Sequence, residues 1–148
     1  NYNRQHPDRP ATVVFGQTYA LLDHARAALV TSGTATLETA LMRVPQVVCY
    51  YMKHGRLVAF ARRLILRVPY VSLVNLISDG EVVPELVADG MTAGNIRRYL
   101  RPLLDEDSAE RQAMLVAYDA LTAAVGNAGV STRAADIMLR LLPPPLSS

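Results

Sequence analysis

Leu29 to Met42, LVTSGTATLETALM, is the stretch that decides the fold. A short apolar run, Ala28 to Thr31, leads into the small-residue turn Ser32-Gly33-Thr34, and Thr36 to Met42 then follows at helical spacing until Pro45 stops it. Strand, tight turn and helix in immediate succession are the unit from which parallel sheets are built. The first backbone N–H groups of a helix have no internal partners, and the helix dipole adds positive potential there. Gly33 lets an anion come close to that backbone, and Ser32, Thr34 and Thr36 bring hydroxyl donors, with Ala35 among them. A diphosphate would fit such a turn. Glu38 lies one helical turn after Thr34, placed to accept from ribose hydroxyls. The same residues also make a good N-cap in any protein, and an early glutamate complements the dipole. Neither a P-loop lysine nor a three-glycine dinucleotide fingerprint is present.

Outward from this unit, Ala11 to Phe15 (ATVVF) reads as a strand closed by Gly16, and Thr18 to Arg26 as a helix with Thr18 as its N-cap. Gln46 to Tyr51 (QVVCYY) reads as a third strand, followed after Gly55 by an apolar and basic helix, Leu57 to Leu66. Arg67 to Asp79 reads as irregular. Helical spacing returns over Glu81 to Ala88, Thr92 to Leu104, Asp107 to Ala124 and Thr132 to Leu142, with Asp107 and Glu110 as a capping box. The expectation is an α/β fold, a Rossmann-like parallel sheet with helices on both faces, over residues 1–142, with a proline-rich tail at 143–148. Three strands are few for such a sheet, and the polar opening Asn1–Pro10 reads as cut from a longer chain. Uncovered sheet edges predict self-association, as in a homodimer.

Composition narrows the function classes. Of 148 residues, 51% are apolar, enough for a core and against disorder. The single Cys49 excludes an intrachain disulfide and reads as a buried strand thiol, in keeping with a reducing, cytoplasmic setting. No apolar stretch reaches the roughly 18 residues of a membrane span. His6, His24 and His54 show no metal-ligand spacing with each other or with Cys49, so no metal is expected. Between Glu38 and Asp79 there is no acid, while Arg43, Lys53, Arg56, Arg62, Arg63 and Arg67 supply six cations, a field suited to phosphates or an anionic membrane face. Around Leu57–Leu66 those arginines either rest on anionic lipid or are simply solvated. Sparse aromatics and the lack of a recognition motif argue against nucleic acid.

Three segments in order, SGTATLETAL, VPQVVCYYMK and YVSLVNLISDGEVVPEL, resemble the lipid-A-disaccharide synthases across almost the whole chain. The resemblance implies the second, nucleotide-binding half of a two-domain GT-B glycosyltransferase. It implies transfer of 2,3-diacylglucosamine from UDP to 2,3-diacylglucosamine 1-phosphate with inversion, UDP as product and no cofactor. It gives Ser32 to Thr36 the diphosphate and Glu38 the ribose. Gln17, Tyr51, Met52 and Lys53 then line the nucleotide pocket, and Asn75 contacts donor phosphate or sugar as a catalytic residue. Glu85 braces that loop. On residues alone Asn75 and Glu85 could equally cap turns, and Gln17 and Lys53 could be surface residues. Two departures stand out: Val74 replaces a frequent proline, and the family's Pro-Gly-Ser-Arg segment with its arginine is absent. The catalytic base is expected in the family's first half, so this chain is expected to bind and not to catalyse alone. A peptidoglycan-type N-acetylglucosaminyltransferase, a UDP-N-acetylglucosamine epimerase and a non-catalytic nucleotide-binding or interaction domain remain as alternatives.

Overall fold

The computed structural model describes residues 2–5, 7–8, 11–31, 33–50, 70–126 and 137–138. Along the chain it runs α1 (Tyr2–Gln5), α2 (Thr18–Asp23), β1 (Ala28–Val30), α3 (Gly33–Leu41), β2 (Gln46–Tyr50), α4 (Leu73–Ser78), β3 (Glu85–Val87), a 3₁₀ turn at Ala88–Gly90, α5 (Ala93–Leu103) and α6 (Ala109–Val125). The strands form one sheet in the order β1-β2-β3, parallel throughout. Parallel neighbours need crossover connections, and α3 and α4 lie in the two that this sheet requires. Ala28 stands opposite Gln46 on one side, and Val48 opposite Glu85 on the other. β3 is thereby shifted toward the carboxyl end of β2.

β2 is the middle of the fold because its sequence suits burial on both faces. Val47 and Val48 are fully buried and Cys49 nearly so, as near-continuous apolar strands in helix-covered parallel sheets are. Ala40 of α3, Val74 of α4, Leu103 of α5, and Met114, Tyr118 and Leu121 of α6 close the core around it. Each fully buried Val or Leu contributes roughly 1.5–3 kcal/mol. One polar hub lies inside this core. The Gln46 amide Nε2 donates to the Thr36 carbonyl at 2.9 Å and to the Tyr118 hydroxyl at 3.2 Å, tying α3 to β2 and α6. The carbonyl fixes the amide's orientation, since the opposite one would set oxygen against oxygen. Gln46 Oε1 is left as a buried oxygen without a partner among the described residues.

The sheet corrects several expectations. Ala11–Phe15 is not a strand: it joins no ladder among the described residues, and Val13 and Phe15 are 69% and 85% exposed. A β-branched run gains little without a partner and a covered face. The third strand comes instead from Glu85–Val87, inside the segment Glu81–Ala88 whose spacing suggests a helix. Pro84 has no N–H to give a helix and biases Val83 toward extended backbone, and pairing with the edge of β2 buries Leu86. The region 67–79 contains a helix, α4, capped by the Ser72 hydroxyl, which accepts from Asn75 N at 3.2 Å, and ended by Asp79 in the left-handed region. Six residues are too few to show a period.

The caps also move by one position. Gln17, not Thr18, is the N-cap of α2 and makes no side-chain cap bond. Ser108, not Asp107, caps α6, accepting from Arg111 N at 3.1 Å while donating to the Pro102 carbonyl at 2.7 Å. Thr92 caps α5 where the helical spacing begins. The expected helix Leu57–Leu66 lies outside the described residues, as does Thr132–Leu142 apart from Ile137 and Met138.

Candidate functional site

β1 ends at the buried Val30, and α3 begins at Gly33, so the first turn of the helix emerges at the carboxyl end of a parallel strand. That end of an open α/β sheet is where ligands generally bind. Ser32 lies outside the described residues. Gly33 needs no special backbone angle, and a Cβ built on it meets nothing nearer than the Tyr50 hydroxyl at 4.0 Å. Packing within the described residues therefore does not demand glycine at this position. Thr34 is exposed and Ala35 half-buried.

Thr36 differs from the expected hydroxyl donor. It is fully buried, and its hydroxyl donates back to the Gly33 carbonyl at 2.5 Å. Glu38, one turn along, is half-buried, and its carboxylate has no hydrogen-bond or ion-pair partner among the described residues. Gln17 is exposed and serves α2 through its carbonyl, which accepts from Leu21 N at 3.0 Å. Tyr51, Met52 and Lys53 lie outside the described residues.

Asn75 and Glu85 come together, away from solvent. Asn75 is fully buried. Its Nδ2 donates to the Val83 carbonyl and to Glu85 Oε1, both at 2.9 Å. Its Oδ1 accepts from Val82 N at 2.8 Å and Val83 N at 2.9 Å. The side chain is thus saturated by its own protein. Glu85 is held in turn: Oε1 accepts from Ser72 N and Oε2 from Val71 N, both at 2.9 Å. A half-buried carboxylate is tolerable there because three N–H donors meet it.

Two residues of this region escape sequence reasoning. Ser72 caps α4 and also donates its N–H to Glu85. Tyr50 ends β2 with its hydroxyl beside Gly33. Burial, and next the Glu85 carboxylate, push the Tyr50 phenol above its ordinary value. The signal for Tyr50 was strand alternation, which sets positions 48 and 50 on one face, but it requires knowing where β2 ends.

Cys49 is a free, buried thiol, raised by that burial and removed from reaction. Two shallow cavities of about 240 and 370 Å³ lie between the Glu81–Pro84 segment, α5 and α6 and between α4 and α6, and no expected site residue lines either. Among the described residues no helix is long and apolar enough to cross a membrane.

Comparison with known proteins converges on one family. The family model for lipid-A-disaccharide synthetase matches residues 3–137. A lipid-A-disaccharide synthase of Acidobacterium capsulatum is 44% identical over 113 residues, covering 76% of this chain and 28% of the relative. The enzyme of the same name from Pseudomonas syringae pv. tomato is 36% identical over 140 residues, covering 95% of this chain and 35% of the relative. That from Prochlorococcus marinus is 45% identical over 116 residues, 77% of this chain and 29% of the relative. The chain therefore spans about a third of the length of these relatives. With the match running through the strand, the turn at Gly33, Asn75 and Glu85 alike, this chain belongs to the lipid-A-disaccharide synthetase family.

Proposed function

We propose that this chain is the nucleotide-sugar-binding part of a lipid-A-disaccharide synthase, the second Rossmann-like half of a GT-B glycosyltransferase. In this reading the donor is UDP-2,3-diacylglucosamine and the acceptor 2,3-diacylglucosamine 1-phosphate, both acylated and both met at the cytoplasmic face of the inner membrane. The observation that carries the reading is the open first turn of α3, with Gly33 unconstrained by packing and Glu38 unpartnered one turn below it among the described residues.

The chemistry follows from those groups. As the sugar leaves, negative charge grows on the UDP β-phosphate. The free N–H groups at the start of α3 and the local positive end of its dipole stabilise that charge without a metal ion. Glu38 grips a ribose hydroxyl and sets the nucleoside's depth. The Tyr50 hydroxyl stands by Gly33 as a further polar group near the phosphates. A base from the companion half of the enzyme activates the acceptor hydroxyl. The basic, acid-free stretch from Arg43 to Arg67 adds a field that favours phosphorylated, membrane-borne substrates.

Calorimetric titration with UDP tests the reading. A Cβ at Gly33 meets no described atom closer than the Tyr50 hydroxyl at 4.0 Å, so Gly33→Ala is expected to fold while UDP affinity falls more than tenfold, or about 1.4 kcal/mol. Unchanged UDP binding in that variant would move the site away from α3.

A further inference from the structure

The Glu85 carboxylate joins parts of the chain that are distant in sequence. It opens β3, accepts from the backbone of Val71 and Ser72, and is itself gripped by Asn75. Val48 pairs with Glu85 across the ladder, and Tyr50 follows two residues on along β2. Parallel register puts the side chains of 48, 50 and 85 on the same face. Glu85 is therefore a diagonal neighbour of Tyr50, close enough for its charge to act on that phenol. Tyr50 in turn is the nearest side chain to the open position on Gly33. The connection runs from Asn75 through Glu85 and Tyr50 to the first turn of α3.

Asn75 holds the other end. Its four hydrogen bonds leave no free donor or acceptor for a ligand. An effect of Asn75 on the donor must therefore pass through what it holds, and the charged group it holds is Glu85.

We infer that Glu85 is a positioning residue of the donor site: locked by Asn75, its carboxylate fixes the Val71–Ser72 bend beside Tyr50, and so the wall next to Gly33. This rests on the reading of the α3 turn as the UDP site. Glu85 touches no substrate in this role and acts through the bend and through Tyr50.

The test is UDP titration of the intact protein as wild type, Glu85→Ala, Glu85→Gln, Asn75→Ala and the double variant Glu85→Ala/Asn75→Ala. Glu85→Ala and Asn75→Ala are each expected to weaken UDP about tenfold, and the double variant no more than either alone, as for two residues acting as one unit. Glu85→Gln is expected to recover part of the loss. Its oxygen still accepts from Ser72 and Asn75, while its amide meets the Val71 N–H and cannot accept. Glu85→Ala strands the Val71 N–H and the N–H of the fully buried Ser72, so its urea midpoint is read alongside, and Glu85→Gln, which keeps the Ser72 and Asn75 bonds, carries the test if Glu85→Ala does not fold.

UDP affinity kept in Glu85→Ala but lost in Asn75→Ala would overturn the inference in favour of a direct Asn75 contact. Losses that multiply in the double variant would overturn it too, as would equal losses in Glu85→Ala and Glu85→Gln. Wild-type protein that does not bind UDP would overturn the donor-site reading itself and this inference with it. Wild-type binding with unaffected Glu85 variants overturns the inference alone.

Discussion

At the start of α3, the exposed Thr34 and the half-buried Glu38 make no side-chain hydrogen bond among the described residues. Between Ser72 and Glu85, the two oxygens of Glu85 and both polar atoms of Asn75 are all occupied by the protein itself. The first region leaves polar groups open at a sheet's carboxyl end, where a partner from solution can use them. The second closes its polar groups on one another, which makes it rigid. A donor site needs both, since groups that contact a ligand are effective only when their supports are fixed. Asn75 and Glu38 would look alike in a list of polar residues, yet they stand on opposite sides of this division.

The largest expected effect lies in the closed region. Asn75→Leu keeps the bulk of the side chain and removes four hydrogen bonds, stranding the N–H and the carbonyl of the fully buried Val83, while Val82 N keeps the Gly80 carbonyl at 3.1 Å. Each buried group left unpaired costs about 1–3 kcal/mol, so a loss of about 3–5 kcal/mol is expected from the urea midpoint. An unchanged midpoint would mean that the knot at Asn75 adds little rigidity, and the contrast with α3 would fall.

An intermediate effect is expected where the open turn rests on the core. Gln46 holds the Thr36 carbonyl from below and is itself met by Tyr118. Tyr118→Phe is expected to cost about 1–2 kcal/mol. Gln46→Leu combined with Tyr118→Phe should cost less than the two singly added, because both members of the pair go and the orphaned Gln46 Oε1 goes with them. The pH dependence has a definite sign. Burial raises the Tyr118 phenol far above its ordinary 10.0, and it raises the Cys49 thiol above its ordinary 9.0. A raised acid favours folding fully below its unfolded-state value, and that contribution is lost as pH climbs from there through the folded value. Stability is therefore expected to fall above about pH 9, and Tyr118→Phe to flatten the fall above about pH 10, both read from urea midpoints.

Much of the fold was legible because it rests on local pattern. The β1–turn–α3 unit, β2, α5 and α6 follow from apolar runs, helical spacing and hydroxyl caps that act within a few residues. Glu81–Ala88 was misread because its apolar spacing suits a helix as well as a short buried strand. What decides is the uncovered edge of β2, a long-range fact. Ala11–Phe15 fails for the converse reason, being a good strand sequence that no sheet edge takes up among the described residues. At the candidate site, the exposure of Thr34 and the open carboxylate of Glu38 could be anticipated from the turn itself. The inward hydroxyl of Thr36 and the saturation of Asn75 could not, since each depends on which face of its helix meets the core. Tyr50 was missed, because only the end of β2 shows that its hydroxyl comes beside Gly33.

The smallest expected stability effect belongs to the open region and sharpens the contrast most. Glu38→Gln preserves shape and helix propensity and breaks no bond among the described residues. Its urea midpoint is expected to stay within about 0.5 kcal/mol of wild type. UDP affinity is expected to fall several-fold, because a neutral amide accepts more weakly than a carboxylate from ribose hydroxyls. The two readouts must separate for the reading to hold. A variant that loses stability in step with affinity would show that Glu38 supports the helix. A variant that loses neither would show that an unpartnered carboxylate at this turn is only solvated, and the ribose would then have to be held elsewhere.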